Sequence, residues 1–270
     1  MIDLHSHLLP GIDDGPASMR DSLAMAQAAL AAGTTTMVCT PHVLEAPADQ
    51  VAAMEDGVEA LRRELERAGI PLEVLPGAEV AIPMAERMDD DLLRRASLGG
   101  AGRWLLVEMP FRGWPLSLPE LLADLEVRGF GVVLAHPERA ESVQLNPDRM
   151  RDLVGRGALT QVTAGSLTGE HGPRPRRTAE TLLDHGWVTV LASDAHSPTW
   201  RPPGMADGLD VAVRRLGLPA DQVEWMVDGG PRAIVAGEPV RPPRLLPARR
   251  RPADARPGRS GPPRSPRRSA

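Results

Sequence analysis

The 270-residue chain contains no lysine, no tyrosine and a single cysteine, Cys39. Without lysine, all 31 basic side chains are arginine, which excludes a Schiff base, a carboxylated-lysine metal bridge and the lysine of a P-loop. Without tyrosine, the chain cannot itself be the target of a tyrosine kinase. A single cysteine allows no intrachain disulfide, so we expect a cytoplasmic protein.

Two hydrolase mechanisms lack the residues that they require. A cysteine-dependent tyrosine phosphatase needs an arginine six positions after its nucleophile, but Glu45 stands at that distance from Cys39. A serine hydrolase needs a catalytic triad. No GxSxG motif occurs, and Ser193, Asp194 and His196 lie too close along the chain to orient one another.

Long hydrophobic runs are absent as well. No apolar run approaches the roughly 20 residues that a membrane-spanning helix needs, and the N-terminus lacks the basic start and apolar stretch of a signal peptide. We therefore expect no transmembrane segment. A hydrophobic content of 42% and a charged content of 25% are typical of a globular protein.

The composition changes near residue 238. Residues 238–270 contain ten arginines against two acidic residues, a charge of +8, so that residues 1–237 carry −13 and the whole chain −5. Proline, arginine and small residues bury too little apolar surface to offset chain entropy. This predicts one domain over residues 1–237 and a disordered tail over residues 238–270. The tail could contact nucleic acid or anionic lipid, or stay solvated without a fixed role, whereas the negative domain opposes DNA binding.

Short β-like runs alternate with helical patterns along the first 192 residues. Parallel strands need a crossover between them, usually a helix, so the alternation predicts an α/β fold with a parallel sheet. Periodicity does not decide whether that sheet is open or closed. The predicted strands are residues 2–5, 34–39, 72–75, 104–108, 131–134, 158–162 and 188–192, and the predicted helices include residues 19–32, 48–68, 118–128, 147–155 and 177–185.

Potential metal ligands follow nearly every predicted strand. The carboxyl ends of parallel strands share one face of an α/β barrel, so these side chains should converge there. In the opening DLHSHLLPGIDDGP, both histidines face one side of an extended chain, and the Pro-Gly turn could return Asp13 or Asp14 to them. His171 and His185 fit better as a loop residue and a helix-end residue. The candidate ligands are His5, His7, Asp14, His42, Glu79, Glu108, His136, Asp194 and His196.

Nine acidic or imidazole groups at one rim need cations to relieve desolvation and repulsion. Oxygen ligands mixed with imidazole suit Mn²⁺, Fe²⁺ or Zn²⁺, and nine ligands leave room for two or three ions. Clustered ions activate water and clamp the attacking and leaving oxygens in phosphoester hydrolysis. Arg139 and Arg201 could bind the substrate phosphate as bidentate donors, although either one taken alone could be a surface residue.

Six motifs, in the order HSH, TPH, GAE, VEMP, AHPER and SDAH, resemble those of the PHP (polymerase and histidinol phosphatase) superfamily. Within it, DLHSHLLPGIDDGP, VTAGSLTG and the RPP after SDAH are most similar to the bacterial manganese-dependent tyrosine-protein phosphatases of capsule and exopolysaccharide loci. The resemblance covers residues 1–237. It implies a distorted (β/α)7 barrel, similar to a TIM barrel, with three metal ions at the carboxyl rim.

The resemblance also implies a role for each candidate residue. His5, His7, Glu79 and Asp194 would hold the first ion, Glu79 with Glu108 and His136 the second, and Asp14, His42 and His196 the third. Arg139 and Arg201 would contact the phosphate. A metal-bound hydroxide would attack phosphotyrosine directly, on the tyrosine-rich tail of a membrane-associated autokinase that regulates polysaccharide synthesis. The role of Asp13 and the effect of Pro137 on the reach of Arg139 stay open.

Two alternatives remain at this point. Another phosphoesterase of the same superfamily, acting on histidinol phosphate or a nucleotide, would share the fold and the ligands. A non-catalytic, metal-stabilised scaffold would share the ligands, although a structural site is normally closed to substrate. Trp114 and Trp200 flank the expected rim, where they would either shape a substrate slot or anchor loops. The oligomeric state is not predicted.

Overall fold

The computed structural model describes residues 1–241, in which every strand pairing is parallel. The expected parallel α/β fold is therefore confirmed. The strands are β1 (Ile2–Ser6), β2 (Thr36–Cys39), β3 (His42–Val43), β4 (Glu73–Pro76), β5 (Glu79–Ala81), β6 (Trp104–Glu108), β7 (Gly131–Ala135), β8 (Leu159–Thr163) and β9 (Val190–Ala192).

The strands follow one another around a ring. The pairs β2/β3 and β4/β5 are each one chain segment, interrupted for two residues at Thr40–Pro41 and at Gly77–Ala78. Pairing then runs from β1 through these two segments to β6, β7, β8 and β9. Between the first and the last strand of the ring, the backbone N–H of His7 donates to the backbone oxygen of Ala195 at 2.8 Å. This hydrogen bond connects the end of β1 to the chain after β9. Seven parallel segments thus form the expected barrel.

Helices cover the outside of the ring, and their ends follow local rules. The side chain of Ser18 accepts a hydrogen bond at the start of α1, and α2 begins with a proline and ends at Gly69, whose φ of +65° suits glycine. The helices are α1 (Met19–Ala31), α2 (Pro47–Ala68), α3 (Ile82–Ala85), α4 (Asp90–Ala96), α5 (Leu118–Val127), α6 (Glu141–Leu145), α7 (Arg149–Gly155), α8 (Ala164–Thr168), α9 (Pro173–Asp184), α10 (Ala206–Asp210), α11 (Ala220–Val227) and α12 (Gly229–Val235).

The inward face of the strands changes from apolar to polar along the barrel axis. Side chains such as Leu106, Leu159 and Ala192 form a core inside the ring, separate from the larger core between the strands and the helices. Two residues further along, the alternation of an extended chain puts Glu108 and Gln161 on the same face of their strands, and Asp194 lies two residues beyond the end of β9. The apolar core therefore supports a polar layer at the carboxyl ends.

The residues beyond 237 are described only in part. The indole Nε1 of Trp104 donates to the backbone oxygen of Glu238 at 2.8 Å, and Val240 packs against the barrel core. The predicted domain boundary stays a prediction, and residues 242–270 of the predicted tail lie outside the described residues. Within residues 1–241, none of the helices combines the length and the apolar character that a bilayer crossing requires.

The barrel core predicts a test of stability. Leu106→Ala removes a fully buried side chain from the middle of the ring, and we expect it to lower the free energy of unfolding by about 2–5 kcal/mol. Val127→Ala on α5, where the side chain is 88% exposed, should change it by about 0.5 kcal/mol or less. Urea unfolding followed by circular dichroism measures both, and equal effects would contradict the placement of Leu106 in the barrel core.

Candidate metal centre

His5 and His7 both point into the polar layer at the carboxyl ends of the strands. They do so because the alternation of inward and outward side chains along β1 is interrupted. The pairing of β1 with β2 shifts register between Asp3 and Ser6. Leu4 accordingly lies in the barrel core, whereas His5, the next residue, points into the polar layer. Its Nε2 lies 3.3 Å from Nε2 of His7. The two histidines of the HSH motif thus face the same place, as expected from an extended chain.

The two aspartates of the DDGP segment have different surroundings. Asp13 Oδ2 lies 2.7 Å from His7 Nδ1 and accepts a 3.1 Å hydrogen bond from the backbone N–H of His42. Asp14 is 61% exposed, and its Oδ1 lies 3.3 Å from Nε2 of His196. A side chain in place of Gly15 would put a Cβ only 2.7 Å from the carbonyl oxygen of His7. Asp13 therefore orients a histidine, while Asp14 is available as a ligand.

Glu79 is the carboxylate around which the cluster is arranged. It is fully buried, and its Oε1 lies 2.8 Å from Nε2 of His136. Its Oε2 lies 3.1 Å from Nε2 of His5, 3.3 Å from Nε2 of His7 and 3.1 Å from Nδ1 of His42. Histidines from three segments of the ring thus meet on one carboxylate from a fourth.

All nine predicted ligands lie in this cluster. Their ligand atoms form overlapping groups in which every pair of atoms lies within 4.8 Å, so that each group could hold a cation. The groups are His5, His7 and Asp194; His5, Glu79 and His136; His42, Glu79 and Glu108; and His7, Asp14, His42 and His196. The second ligand set that the resemblance implies is divided here: Glu108 groups with His42, and His136 belongs to another group.

The charges of the cluster favour added positive charge. Burial opposes the charged imidazole of His5, yet Glu79 and Asp194 raise its pKa to about 9. Burial also opposes the carboxylate of Glu79, but His5 and His136 hold its pKa well below its usual range. Burial, followed by the charge of Glu79, raises the pKa of Glu108 to about 7. Cations would relieve the repulsion between these carboxylates.

Two polar atoms at the centre fit a metal ion. Among the described residues, Oε2 of Glu79 and Nδ1 of His42 are buried and make no hydrogen bond of acceptable geometry, although imidazole nitrogens lie 3.1–3.3 Å from Oε2 and the two atoms are themselves 3.1 Å apart. Leaving such an atom unsatisfied costs about 1–3 kcal/mol. A divalent cation accepts electron pairs from both atoms and would satisfy them together. The donor set, imidazole nitrogen and carboxylate oxygen, therefore fits a metal centre.

Two of the nine residues have a left-handed backbone, His136 with a φ of +30° and Asp194 with a φ of +53°. Such a conformation costs a non-glycine residue about 1–3 kcal/mol and persists only where the surroundings hold it. The carboxylate of Asp3 accepts hydrogen bonds from the backbone N–H and the hydroxyl of Ser193, and Gln161 accepts one from the backbone N–H of His136. Buried hydrogen bonds thus hold both strained turns.

Both predicted phosphate-binding arginines reach the cluster, and they meet at Asp194. Arg139 Nη1 donates to Oδ2 of Asp194 at 2.6 Å. Arg201 Nη2 contacts the same oxygen and donates to the backbone oxygen of Asp194 at 2.7 Å. Pro137 begins a 3₁₀ turn that ends at Arg139, so the proline does not keep this arginine from the site.

His171 lies in the turn between α8 and α9, in agreement with its interpretation as a loop residue. Burial, and then the charges of Arg139 and Arg201, lower its pKa to about 4. Its imidazole is therefore neutral near pH 7 and adds no charge to the rim.

Several residues that position the ligands were missed from the sequence. Glu138 of the AHPER motif is buried and accepts hydrogen bonds from the backbone N–H of Thr163 at 3.0 Å and the hydroxyl of Ser166 at 2.7 Å. It connects the turn before Arg139 to the VTAGSLTG segment. Asp3 and Gln161 were missed too, because neither follows a strand end. Asp3 could have been found from the sequence, because it is a charged residue within the otherwise apolar start of β1.

Comparison with known proteins agrees with this geometry. The family model for capsular polysaccharide synthesis, CpsB/CapC, matches residues 1–234. The chain is 35% identical to the tyrosine-protein phosphatase YwqE of Bacillus subtilis over 80% of this chain and 85% of that protein. It is 30% identical to the putative tyrosine-protein phosphatase CapC of Staphylococcus aureus over 75% and 79% of the two chains.

A solved structure is similar over nearly the whole chain. It comes from the crystal structures of YwqE from Bacillus subtilis and CpsB from Streptococcus pneumoniae, described as unique metal-dependent tyrosine phosphatases. The TM-score is 0.80 at 31% sequence identity, and the match covers 93% of this chain and 100% of the other. The fold and the family are thus shared with metal-dependent enzymes.

The position of Asp13 predicts an effect on metal affinity. Asp13→Ala removes the carboxylate that orients His7, and we expect it to weaken Mn²⁺ binding about 10- to 100-fold. Asp56→Ala, which removes an exposed carboxylate from α2, should leave the affinity unchanged. Calorimetric titration of the chelator-treated protein with Mn²⁺ measures both variants. Unchanged binding by Asp13→Ala would show that His7 needs no such support.

Proposed function

The chain belongs to the capsular polysaccharide synthesis family CpsB/CapC, and we propose that it is a metal-dependent protein-tyrosine phosphatase. Its relative YwqE is a tyrosine-protein phosphatase, CapC is a putative one, and the solved structures of YwqE and CpsB are described as metal-dependent tyrosine phosphatases. The observation that carries the proposal is the convergence of nine imidazole and carboxylate side chains with two arginines at one barrel rim. Such a site suits the hydrolysis of a phosphomonoester, whose charge needs both cations and hydrogen-bond donors.

In this proposal the nine clustered residues hold up to three divalent cations. Mn²⁺ is the first choice, with Fe²⁺ or Zn²⁺ as alternatives, because the donors are imidazole and carboxylate without a thiolate. The unsatisfied atoms of Glu79 and His42 support this assignment. Bound ions would lower the pKa of water and neutralise charge on the phosphate oxygens.

Arg139 and Arg201 bind and orient the phosphate. Each guanidinium has five N–H donors, and the contacts with Asp194 occupy only part of them. Both side chains are mostly buried, with about a fifth or less of their surface exposed. The remaining donors of the two planar groups can therefore bind phosphate oxygens in a fixed direction.

Water, rather than a side chain, is the nucleophile in this proposal. Burial raises the pKa of the Cys39 thiol to about 12, so the reactive thiolate does not form near neutral pH. The Ser193 hydroxyl, beside Asp194, already donates to the Asp3 carboxylate. Water would supply the new oxygen on phosphorus, the bond to the tyrosine oxygen would break, and no phosphoenzyme would form.

We further propose a partner for this activity. The substrate would be a phosphotyrosine-bearing protein, namely the tyrosine-rich tail of a membrane-associated autokinase of a capsule or exopolysaccharide system. The family model is one of capsular polysaccharide synthesis, which supports this context. The autokinase tail is cytoplasmic in the family that the sequence resembles, and we place this chain in the same compartment.

The proposed activity predicts a dependence on metal and on the arginines. Chelation should abolish phosphate release from a phosphotyrosine peptide, and added Mn²⁺ should restore it. With metal restored, Arg139→Met should lower kcat/KM about 10- to 100-fold because it removes charged hydrogen bonds to the phosphate. Arg151→Met, on the exposed side of α7, is the matched control and should have no effect.

The same assay separates the alternatives. Release from histidinol phosphate but not from the peptide would assign the site to another phosphoesterase of the superfamily. Metal binding without release from any phosphomonoester would favour a scaffold.

The proposed mechanism also predicts that Cys39 is dispensable. Cys39→Ala should leave kcat/KM on the phosphotyrosine peptide unchanged because the thiol is buried and protonated. Steady-state kinetics of the Mn²⁺-loaded variant test this, with circular dichroism to verify folding. Loss of turnover in a folded Cys39→Ala protein would overturn the metal-dependent mechanism in favour of a cysteine nucleophile.

A further inference from the structure

Two exposed aromatic side chains stand beside the metal centre in a chain that has few aromatics. The sequence contains two phenylalanines, five tryptophans and no tyrosine. Phe111 is 47% exposed and Trp200 is 63% exposed, whereas the other five aromatic side chains are buried or half-buried. Exposed aromatic surface is costly in water and is often kept where it contacts a ligand.

Phe111 and Trp200 have the same kind of neighbours. The Phe111 ring stacks on His136, with 5.8 Å between the ring centroids and 8° between the planes, and Arg139 Cζ lies 4.9 Å from its centroid. The Trp200 ring lies 5.9 Å from that of His196, edge to face, and Arg201 Cζ lies 5.6 Å from it. Each aromatic ring thus borders one candidate metal ligand and one candidate phosphate-binding arginine.

Because each ring borders one of the two arginines, both rings lie near the same carboxylate, Asp194. Both guanidinium groups contact Oδ2 of Asp194, so Phe111 and Trp200 border two sides of one anion-binding position. Backbone hydrogen bonds fix both loops: the N–H of Glu141 donates to the Phe111 oxygen at 2.9 Å, and the N–H of His196 donates to the Arg201 oxygen at 3.0 Å. The backbones that carry the two rings are therefore held in place by hydrogen bonds.

We propose that Phe111 and Trp200 form the walls that contact the aryl ring of the substrate and so select aryl over alkyl phosphomonoesters. The inference rests on the proposed function and names the residues that determine its specificity. With the phosphate on Arg139 and Arg201, an attached aryl ring lies next to the apolar faces that border these arginines. An alkyl phosphate would gain the same charge contacts but would leave both faces in water.

Trp187 offers a matched control. It stacks on His185 with 4.3 Å between centroids, and Arg151 Cζ lies 5.7 Å from its ring, so its neighbours are also an imidazole and a guanidinium. It precedes the amino end of β9, whereas the candidate site follows the carboxyl end. Trp187→Leu removes a similar ring at the opposite end of the barrel.

The test compares two non-hydrolysable ligands. Calorimetry would measure binding of phenylphosphonate and methylphosphonate to the Mn²⁺-loaded protein and to Phe111→Leu, Trp200→Leu and Trp187→Leu. Each substitution at the rim should raise the Kd for phenylphosphonate about three- to tenfold and leave the Kd for methylphosphonate unchanged. Trp187→Leu should change neither. An unchanged Kd for phenylphosphonate, or equal weakening of both ligands, would overturn the inference.

Turnover separates this inference from the proposed function. For the phosphotyrosine peptide, Phe111→Leu and Trp200→Leu should raise KM more than they lower kcat. If the parent protein hydrolyses the peptide and neither variant changes KM, the walls are wrong and the proposed function stands. If no phosphomonoester is hydrolysed but phenylphosphonate still binds selectively through both rings, the phosphatase is wrong and the aryl-binding walls stand.

Discussion

The burial of one carboxylate, Glu79, is the constraint on which the rest of the site depends. A lone carboxylate in a protein interior is strongly unfavourable and normally becomes protonated. Here imidazole nitrogens from three segments of the ring lie about 3 Å from its oxygens. Those segments must therefore end at the same height and face inward together, which a ring of parallel strands provides.

The same constraint explains why the strands end in strained turns. His136 and Asp194 follow β7 and β9 through left-handed backbones, which direct side chains from two segments on either side of β8 towards a common centre. Asp3 and Gln161 stabilise these turns through buried hydrogen bonds. Removing one such partner would leave a buried donor unsatisfied as well as a strained backbone free to relax. The hydrogen bonds of Asp3 and Gln161 thus connect the strands that form the apolar core to the turns that carry the polar layer.

The sequence predicts the strands and the convergence of the candidate ligands well because both follow from local signals. All seven predicted strands exist, and the nine candidates converge, since eight of them stand at or just after the end of an apolar run whose direction the parallel order sets, while the turn after His7 returns Asp14 to them. The supporting residues are not local signals. Asp3 holds Ser193, which is 190 positions away, and no spacing marks such a pair.

The short strands β3 and β5 were not predicted, since Pro41 and Gly77 interrupt the apolar pattern before each of them. Helix α9 begins at Pro173, four residues before the predicted start, because a proline is compatible with the first turn of a helix.

Asp194 connects the metal side of the site to the phosphate side. Its Oδ1 lies 3.4 Å from Nε2 of His5 and 3.6 Å from Nε2 of His7, while its Oδ2 contacts Arg139 and Arg201. One rigid carboxylate thus sets the distance between the imidazole cluster and the guanidinium pair. Since buried hydrogen bonds hold the turn at Asp194, a phosphate bound by the two arginines would keep a constant position relative to the cluster. Direct attack by water requires such a fixed geometry, because no covalent intermediate would hold the phosphoryl group in place.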